Sequence, residues 1–399
     1  MTSFFGAALI MLVASAVALA AYAATGDPRV RWLALHLALL GGVSQLVLGA
    51  GQFFVCAFLT TTPPRRALVA AQLALWNAGT VLVAVGVTVI GTWAVDVGAM
   101  ALAAGLVAFV GSLHAMQRRS LQRARWAVRW YVASSACLGG GLIIGVLLAR
   151  GTGWSHGSLL GAHLALNVAG WLGTAIVGTL HTFIPSLTST KLRFEGLQGP
   201  TFGLWVGGVL ALALGAAFAS DTVVVAAWAS LAGGAGALAV NVAASVRAAP
   251  IALALPARLI AVAQLFLLAG ITVALVATAN HGSAEPFVGR ARGPLTNFLL
   301  IGWIGMTVAG ALLHLLAVLG RIRNFRNAIP TARPARDGAF VGLAGTAVTA
   351  RALSYASGFD VLLTPATVVV ILGAGLLALR ILALAGRAAR TGRRRLQPQ

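Results

Sequence analysis

Residues 163–185 read HLALNVAGWLGTAIVGTLHTFIP, a run that is long and apolar enough to cross a bilayer as a helix. The same run carries a histidine near each end, His163 and His181, together with Asn167 and three glycines. At 100° per residue the two histidines share one face of an α-helix, roughly 27 Å apart at 1.5 Å per residue. Ionisable side chains inside membrane helices are rare and commonly functional. The stretch therefore predicts a transmembrane helix with a functional polar stripe.

The composition of the whole chain agrees with this stretch. Of its 399 residues, 59% are hydrophobic and only 9% are charged, which predicts one polytopic, all-α integral membrane domain. The net charge of +21 would suggest a nucleic-acid partner in a soluble protein. Here short loops carry the arginines, so we interpret them as topology signals and expect no nucleic-acid partner.

Hydropathy predicts twelve transmembrane helices. They lie near residues 3–24, 32–59, 67–91, 93–116, 127–149, 158–184, 201–219, 222–244, 258–279, 294–320, 338–356 and 361–385. Most of the 28 Lys and Arg residues follow even-numbered spans or lie in a basic tail, residues 386–399. The positive-inside rule then places both termini in the cytoplasm.

The acidic residues are distributed differently. All seven Asp and Glu residues fall in predicted loops or at helix ends, and none lies at the predicted bilayer midplane. Proton- and sodium-coupled transporters commonly use a carboxylate there, or a broken helix pair. This pattern weighs against a coupled transporter.

Five membrane histidines and one asparagine fall into two tiers of depth. The outer tier comprises His36, His163 and Asn297, near the predicted outer ends of helices 2, 6 and 10. The inner tier comprises His114, His181 and His314, near the predicted cytoplasmic ends of helices 4, 6 and 10. Each tier is a candidate binding site.

Helices 2, 6 and 10 also resemble one another. GWLGTAIVGTLH from Gly170 is similar to GWIGMTVAGALLH from Gly302, and HLALLGG from His36 is similar to HLALNVAG from His163. The spacing predicts three pseudo-repeats of four helices, about residues 1–130, 131–257 and 258–385. Chance similarity between Gly- and Leu-rich membrane helices is the alternative interpretation.

Twelve helices in three groups of four, with histidines at the outer ends of helices 2 and 6, resemble the haem-copper oxidase subunit I superfamily. HLALLGGVSQLVLGA and HLALNVAGWLGTAIVGTL are closer still to actinobacterial copper oxidase-like or nitrite reductase-like membrane proteins, which implies a bacterial plasma membrane. The resemblance implies that His36 matches a low-spin haem ligand and His163 a copper ligand. The helix 7 and helix 10 histidines of that superfamily are missing here, as are its intramembrane acids and lysine. The resemblance therefore implies the fold and argues against oxygen reduction with proton pumping.

Each tier has a metal interpretation and a structural one. The outer tier could hold a bis-histidine haem b or a small copper site, since neutral imidazole suits iron and copper. Alternatively, His36 bonds a neighbouring helix or the interface and His163 bonds Asn167. The inner tier has the ligand count of a tri-histidine metal site, or else its histidines only cap helices and reach for the basic interface. A shared outer centre requires ring nitrogens of His36 and His163 within about 15 Å.

These observations lead to one functional expectation and two alternatives. We expect a haem- or copper-binding membrane protein of respiratory or nitrogen-oxide electron transfer, without a complete oxidase site. Its partners would be membrane lipids and a copper enzyme or respiratory complex. The alternatives are a permease for metal, haem or a small solute, and a non-catalytic scaffold of oxidase-like fold. Whether the protein is an enzyme stays open at this point.

Overall fold

The computed structural model of the protein describes residues 2–121, 125–323 and 331–393. It is 88% helical, and the described residues contain no β-strand. Residues 122–124 and 324–330, which belong to predicted arginine-rich loops, lie outside the described residues. So do residues 394–399, the end of the predicted basic tail 386–399.

Eleven helices within the described residues are long and apolar enough to cross a membrane. They are α1 Ser3–Thr25, α2 Pro28–Phe58, α3 Arg66–Ile90, α4 Thr92–Arg119, α5 Trp126–Arg150, α6 His156–Thr188, α7 Glu195–Ala217, α8 Asp221–Arg247, α9 Leu255–His281, α10 Arg292–Ile322 and α12 Leu363–Arg387. This is the architecture of a multi-pass membrane protein, as the hydropathy predicted. Apolar side chains on the outer surfaces of these helices contact lipid.

The predicted span near residues 338–356 corresponds to helix α11, Pro334–Ser357, which is not one of the eleven. It has 24 residues, but Arg336, Asp337 and Arg351 lower its apolar character. Helix α11 is long enough to cross a membrane, but it is less apolar than the eleven other helices. The count of twelve spans and the cytoplasmic placement of both termini therefore stay predictions.

Three even-numbered spans contain a π-helical segment in their interior. The segments are Leu37–Val43 in α2, Ala165–Gly173 in α6 and Asn297–Gly305 in α10. In a π-helix each N–H bonds the carbonyl five residues earlier, so each residue turns through less than in an α-helix. The rotation of 100° per residue therefore does not hold from His163 to His181, and the prediction that they share one face loses its geometric basis.

The described residues form two compact units. Unit 1 is drawn from Met1–Thr179 and Val209–Ser220, and unit 2 from Leu180–Gly208 and Asp221–Gln399. His36, His163 and His114 belong to unit 1, while Asn297, His181 and His314 belong to unit 2. The predicted single domain and its repeat boundaries stay predictions.

Two buried tryptophans hold the π segment of α2 in unit 1. The Trp171 indole donates to Ser44 Oγ at 2.8 Å, and that hydroxyl donates to Leu39 O at 2.8 Å. The Trp76 indole donates to Leu40 O at 3.1 Å and contacts the Trp171 ring at 6.4 Å between centroids. Buried carbonyls inside a membrane need partners within the protein, and these side chains supply them. The backbone that follows His36 is thereby fixed to the core.

Candidate functional site

His36 is the last residue of the α-helical first part of α2, Pro28–His36. The Asp27 side chain caps this helix by accepting a hydrogen bond from Arg29 N at 2.8 Å. One turn before the histidine, the Trp32 ring stacks on the imidazole, with centroids 3.9 Å apart and planes 24° apart. His36 Nδ1 bonds Trp32 O at 2.9 Å. Trp32 therefore holds both the face of the ring and one of its nitrogens.

His163 lies in α6 two residues before the π segment Ala165–Gly173. Its Nδ1 bonds Gly141 O of α5 at 3.1 Å. The Asn167 amide donates to the backbone carbonyl of His163 at 2.7 Å, and its nitrogen lies 3.3 Å from His163 Nδ1. A carbonyl can only accept, so we assign the proton to Nδ1 and the bond to Gly141 O. The predicted neighbour Asn167 thus holds the backbone of His163 and not its ring.

Two glycines of α5 make room for this arrangement. A Cβ at Gly145 would lie 3.2 Å from His163 Cε1, and one at Gly141 would lie 2.4 Å from Asn167 Nδ2. The two glycines are four residues apart and so lie on one face of the helix. Small residues at this spacing let membrane helices approach closely. The glycine pair therefore lets α5 approach α6 closely and seats the ring of His163.

The structure brings His36 and His163 together. Their ring centroids lie 6.4 Å apart, with 30° between the ring planes. This separation satisfies the condition for a shared centre. With metal–nitrogen bonds of about 2.0–2.1 Å, two imidazoles on opposite sides of one ion place their ring centres roughly 6 Å apart. The observed centroid spacing is therefore compatible with two imidazoles that would hold one ion.

The hydrogen bonds of the pair also fit coordination. Each Nδ1 donates to a backbone carbonyl, Trp32 O for His36 and Gly141 O for His163. This tautomer leaves Nε2 as the unprotonated nitrogen, and metal-binding histidines commonly have their other nitrogen bonded in this way. Neutral imidazole is a ligand for haem iron and for copper. The donor set therefore fits haem or copper at this pair.

Comparison with known proteins found no family model and no curated protein sequence that matches this chain. Membership of the haem-copper oxidase superfamily therefore stays a prediction based on the motifs around His36 and His163.

The third predicted member of the outer tier, Asn297, is placed in unit 2 and is 2% exposed. Its Nδ2 donates to Val348 O at 2.6 Å, and its Oδ1 accepts from Arg351 Nε at 3.1 Å. Arg351 also donates to Tyr355 Oη at 3.1 Å. Both ends of the Asn297 amide are thus engaged with α11, which favours a structural role for this residue.

The inner tier divides between the two units. His114 of unit 1 is exposed, and its Nδ1 bonds Val110 O at 3.0 Å. In unit 2, His181 is 1% exposed, and His314 contacts the Phe183 ring edge-on at 5.5 Å. Residues 2–121, 125–323 and 331–393 contain no group of three or more His, Cys, Asp or Glu that could hold a metal ion. The tri-histidine site stays a prediction.

Several residues of the site were not predicted from the sequence. Trp32, Gly141 and Gly145 each touch the histidine pair or its supports. Two signals were present: Trp32 lies four residues before His36, and Gly141 and Gly145 have the small-xxx-small spacing of close helix contacts. The spacing of Trp32 points to His36 on the same helix, whereas the spacing of the two glycines does not identify their partner, because it lies on another helix.

Proposed function

We propose that the protein is a haem- or copper-binding membrane protein of electron transfer, with His36 and His163 as the ligands. The observation that carries this proposal is the ring pair at 6.4 Å, with both Nδ1 atoms bonded to backbone carbonyls. A bound haem iron or copper ion would supply one-electron chemistry at this position. The residues of this chain would hold it and fix the imidazole orientation.

Electron transfer fits the ligand arrangement better than substrate chemistry. His36 and His163 would supply two imidazole ligands to a haem iron or a copper ion, whereas catalytic metal sites keep a position open for water or substrate. Trp32 covers a face of one ring, and Gly145 packs against the edge of the other. These contacts would hold the two rings in place around a bound ion.

We also propose a wider setting for this site. The protein would have twelve spans in three pseudo-repeats, both termini in the cytoplasm, and a place in a bacterial plasma membrane. The interior π segments of α2, α6 and α10 support the repeats; α3 also ends in a π-helical segment, Gly86–Ile90. Its redox partner would be a copper enzyme or a respiratory complex of the same membrane.

The proposal is tested by purifying the full-length protein in detergent, measuring iron and copper per chain, and recording a reduced-minus-oxidised spectrum. We expect a bound metal, with Soret and α bands if it is haem, that is lost in His36→Ala and in His163→Ala. His156→Ala is the matched control, because His156 is an exposed histidine at the start of α6. A colourless, metal-free wild-type protein would contradict the proposal and favour a permease or a scaffold.

A further inference from the structure

Unit 2 contains an elongated cavity of about 720 Å³ that has no part in the histidine site. It lies between α9 and α11, with single residues of the α8 end and of α10 closing its sides. Its volume is within the range of small-molecule sites, about 300–1,000 Å³. The lining is apolar except at one end, where Arg258 lies.

One wall is a face of α9. Arg258, Val262, Leu265 and Ala269 line the cavity at spacings of three or four residues, which places them on one side of the helix. From Arg258 to Ala269 this face is roughly 16 Å long at 1.5 Å per residue. Leu265 is 63% exposed, so the groove opens to the membrane side of the helix.

The facing wall is α11, and its shape depends on glycine. Gly338, Gly342 and Gly345 line the cavity at the same helical spacing as the residues of α9. A Cβ at Gly342 would meet nothing within 4 Å, whereas one at Gly345 would lie 3.6 Å from the Phe266 ring. The groove is therefore open space at Gly342. Larger side chains at these positions would narrow it.

The two threonines of this wall add little polarity. Thr346 Oγ1 donates to Gly342 O at 2.9 Å, and Thr349 Oγ1 donates to Gly345 O at 3.0 Å. Their hydroxyl protons are therefore used within α11, and their methyl groups remain for contact. Away from Arg258, the groove presents a hydrocarbon-like surface.

Arg258 marks the charged end of the groove. Its Nε donates to Leu253 O at 2.8 Å, and its Nη1 lies 3.1 Å from the position of a Cβ on Gly338. Among the described residues Arg258 has no carboxylate oxygen within 4.0 Å, although Asp337 directly precedes Gly338 in α11. The Nη groups are therefore available to an anion.

We propose that this groove binds one acyl chain of an anionic phospholipid, with the lipid phosphate on Arg258. Its length of roughly 16 Å matches one leaflet, half of a hydrocarbon core about 30 Å thick. A guanidinium pairs strongly with phosphate, and basic pockets between membrane helices bind anionic headgroups. The site involves α9 and α11 and stands whether or not His36 and His163 bind a metal.

The test uses native mass spectrometry of the full-length protein in dodecyl maltoside. Dioleoyl phosphatidylglycerol and dioleoyl phosphatidylcholine are added separately, since they share acyl chains and differ in headgroup charge. We expect the wild-type protein to bind one phosphatidylglycerol in preference to phosphatidylcholine. Arg258→Gln should lose that preference, by roughly tenfold in affinity. Gly342→Phe, which fills the open space, should lose that site for both lipids.

Matched controls are available in the same unit. Arg321→Gln removes an exposed arginine outside the groove, and Gly373→Phe adds a ring where a Cβ also meets nothing within 4 Å. Both should bind lipid as the wild type does. Circular dichroism and size exclusion check folding, and Gly342→Leu replaces Gly342→Phe if the larger residue prevents it.

Two results would overturn the proposal. The first is phosphatidylglycerol binding that is unchanged in a folded Arg258→Gln and a folded Gly342 variant. The second is a co-purifying neutral isoprenoid, such as a quinone, that is lost from the Gly342 variant while phosphatidylglycerol binding persists. The second result would assign the groove to an uncharged ligand.

Discussion

The imidazole rings of His36 and His163 lie 6.4 Å apart between centroids, although the two residues belong to α2 and α6. Specific contacts hold both rings: each Nδ1 donates to a backbone carbonyl, and Trp32 stacks on the His36 ring. The pair therefore has a defined separation and tautomer. Those properties make it testable as a ligand pair.

The contact of Gly145 with the His163 ring gives the first prediction. Gly145→Val places a side chain where a Cβ alone would lie 3.2 Å from His163 Cε1, so the ring must move. We expect the affinity for haem or copper to fall roughly 10–100-fold, as for changes in other groups that orient metal ligands. Metal titration of the purified protein measures this.

Gly139→Val is the control for this change, because it lies on the same helix and a Cβ there meets nothing within 4 Å. Both variants make the same glycine-to-valine change in the helix propensity of α5. Equal metal affinities in Gly139→Val and Gly145→Val would show that Gly145 does not position His163 as a ligand.

Trp32 gives the second prediction. Trp32→Leu removes the ring that stacks on His36 at 3.9 Å and leaves the backbone carbonyl that accepts from Nδ1. With the ring less restrained, we expect weaker metal binding and a broadened or shifted absorption band. Trp93→Leu, at an exposed tryptophan of α4, should leave the spectrum unchanged. An unaltered spectrum and affinity in Trp32→Leu would count against its orienting role.

Ser44 gives a prediction about stability. Its hydroxyl accepts from the Trp171 indole and donates to Leu39 O inside the π segment of α2. Ser44→Ala leaves a buried indole N–H without its acceptor, which costs about 1–3 kcal/mol in unfolding free energy. Thermal unfolding in detergent measures the loss.

Ser112→Ala is matched to it in burial, since both serines are 2% exposed, but among the described residues the Ser112 hydroxyl bonds Ala108 O of its own helix. We expect a smaller effect there, because a carbonyl within an α-helix keeps its backbone partner. If Ser112→Ala were the more destabilising change, the anchoring of the π segment by Trp171 would be disproved.

Asn297 distinguishes a structural role from a ligand role. Asn297→Ala removes the bonds to Val348 O and Arg351 Nε, and we expect a loss of about 1–3 kcal/mol in stability. The metal content and spectrum should stay as in the wild type. Asn280→Ala, on the exposed end of α9, should change neither the stability nor the metal content of the protein. Loss of bound metal in a folded Asn297→Ala would restore this residue to the predicted outer site.

Helical content and most spans could be predicted because each depends on local composition. Long apolar runs predict membrane helices directly, and eleven such helices are present in the described residues. α11 was harder, because Arg336, Asp337 and Arg351 lie within a helix of span length. Its charges are compatible with packing in unit 2, where Arg351 bonds Asn297 and Tyr355.

The site was only partly predictable, for a different reason. The grouping of His36 with His163 followed from their predicted depth in the membrane, and the structure brings the two rings together. The π segment of α6 was not predicted from the sequence, because the helical projection at 100° per residue assumed an unbroken α-helix. The contact of Gly145 with His163 required knowing which helices pack, and hydropathy does not report that.

X-ray absorption at the iron and copper edges of the purified protein tests the central claim most directly. Our account predicts a bound metal with two imidazole nitrogens at about 2.0 Å, reduced to one in His36→Ala and in His163→Ala whenever metal is retained. His281→Ala, at an exposed histidine at the end of α9, should leave two imidazole nitrogens on the metal. A metal whose imidazole count is the same in the wild type and in both variants would contradict the account, as would a wild-type protein without iron or copper.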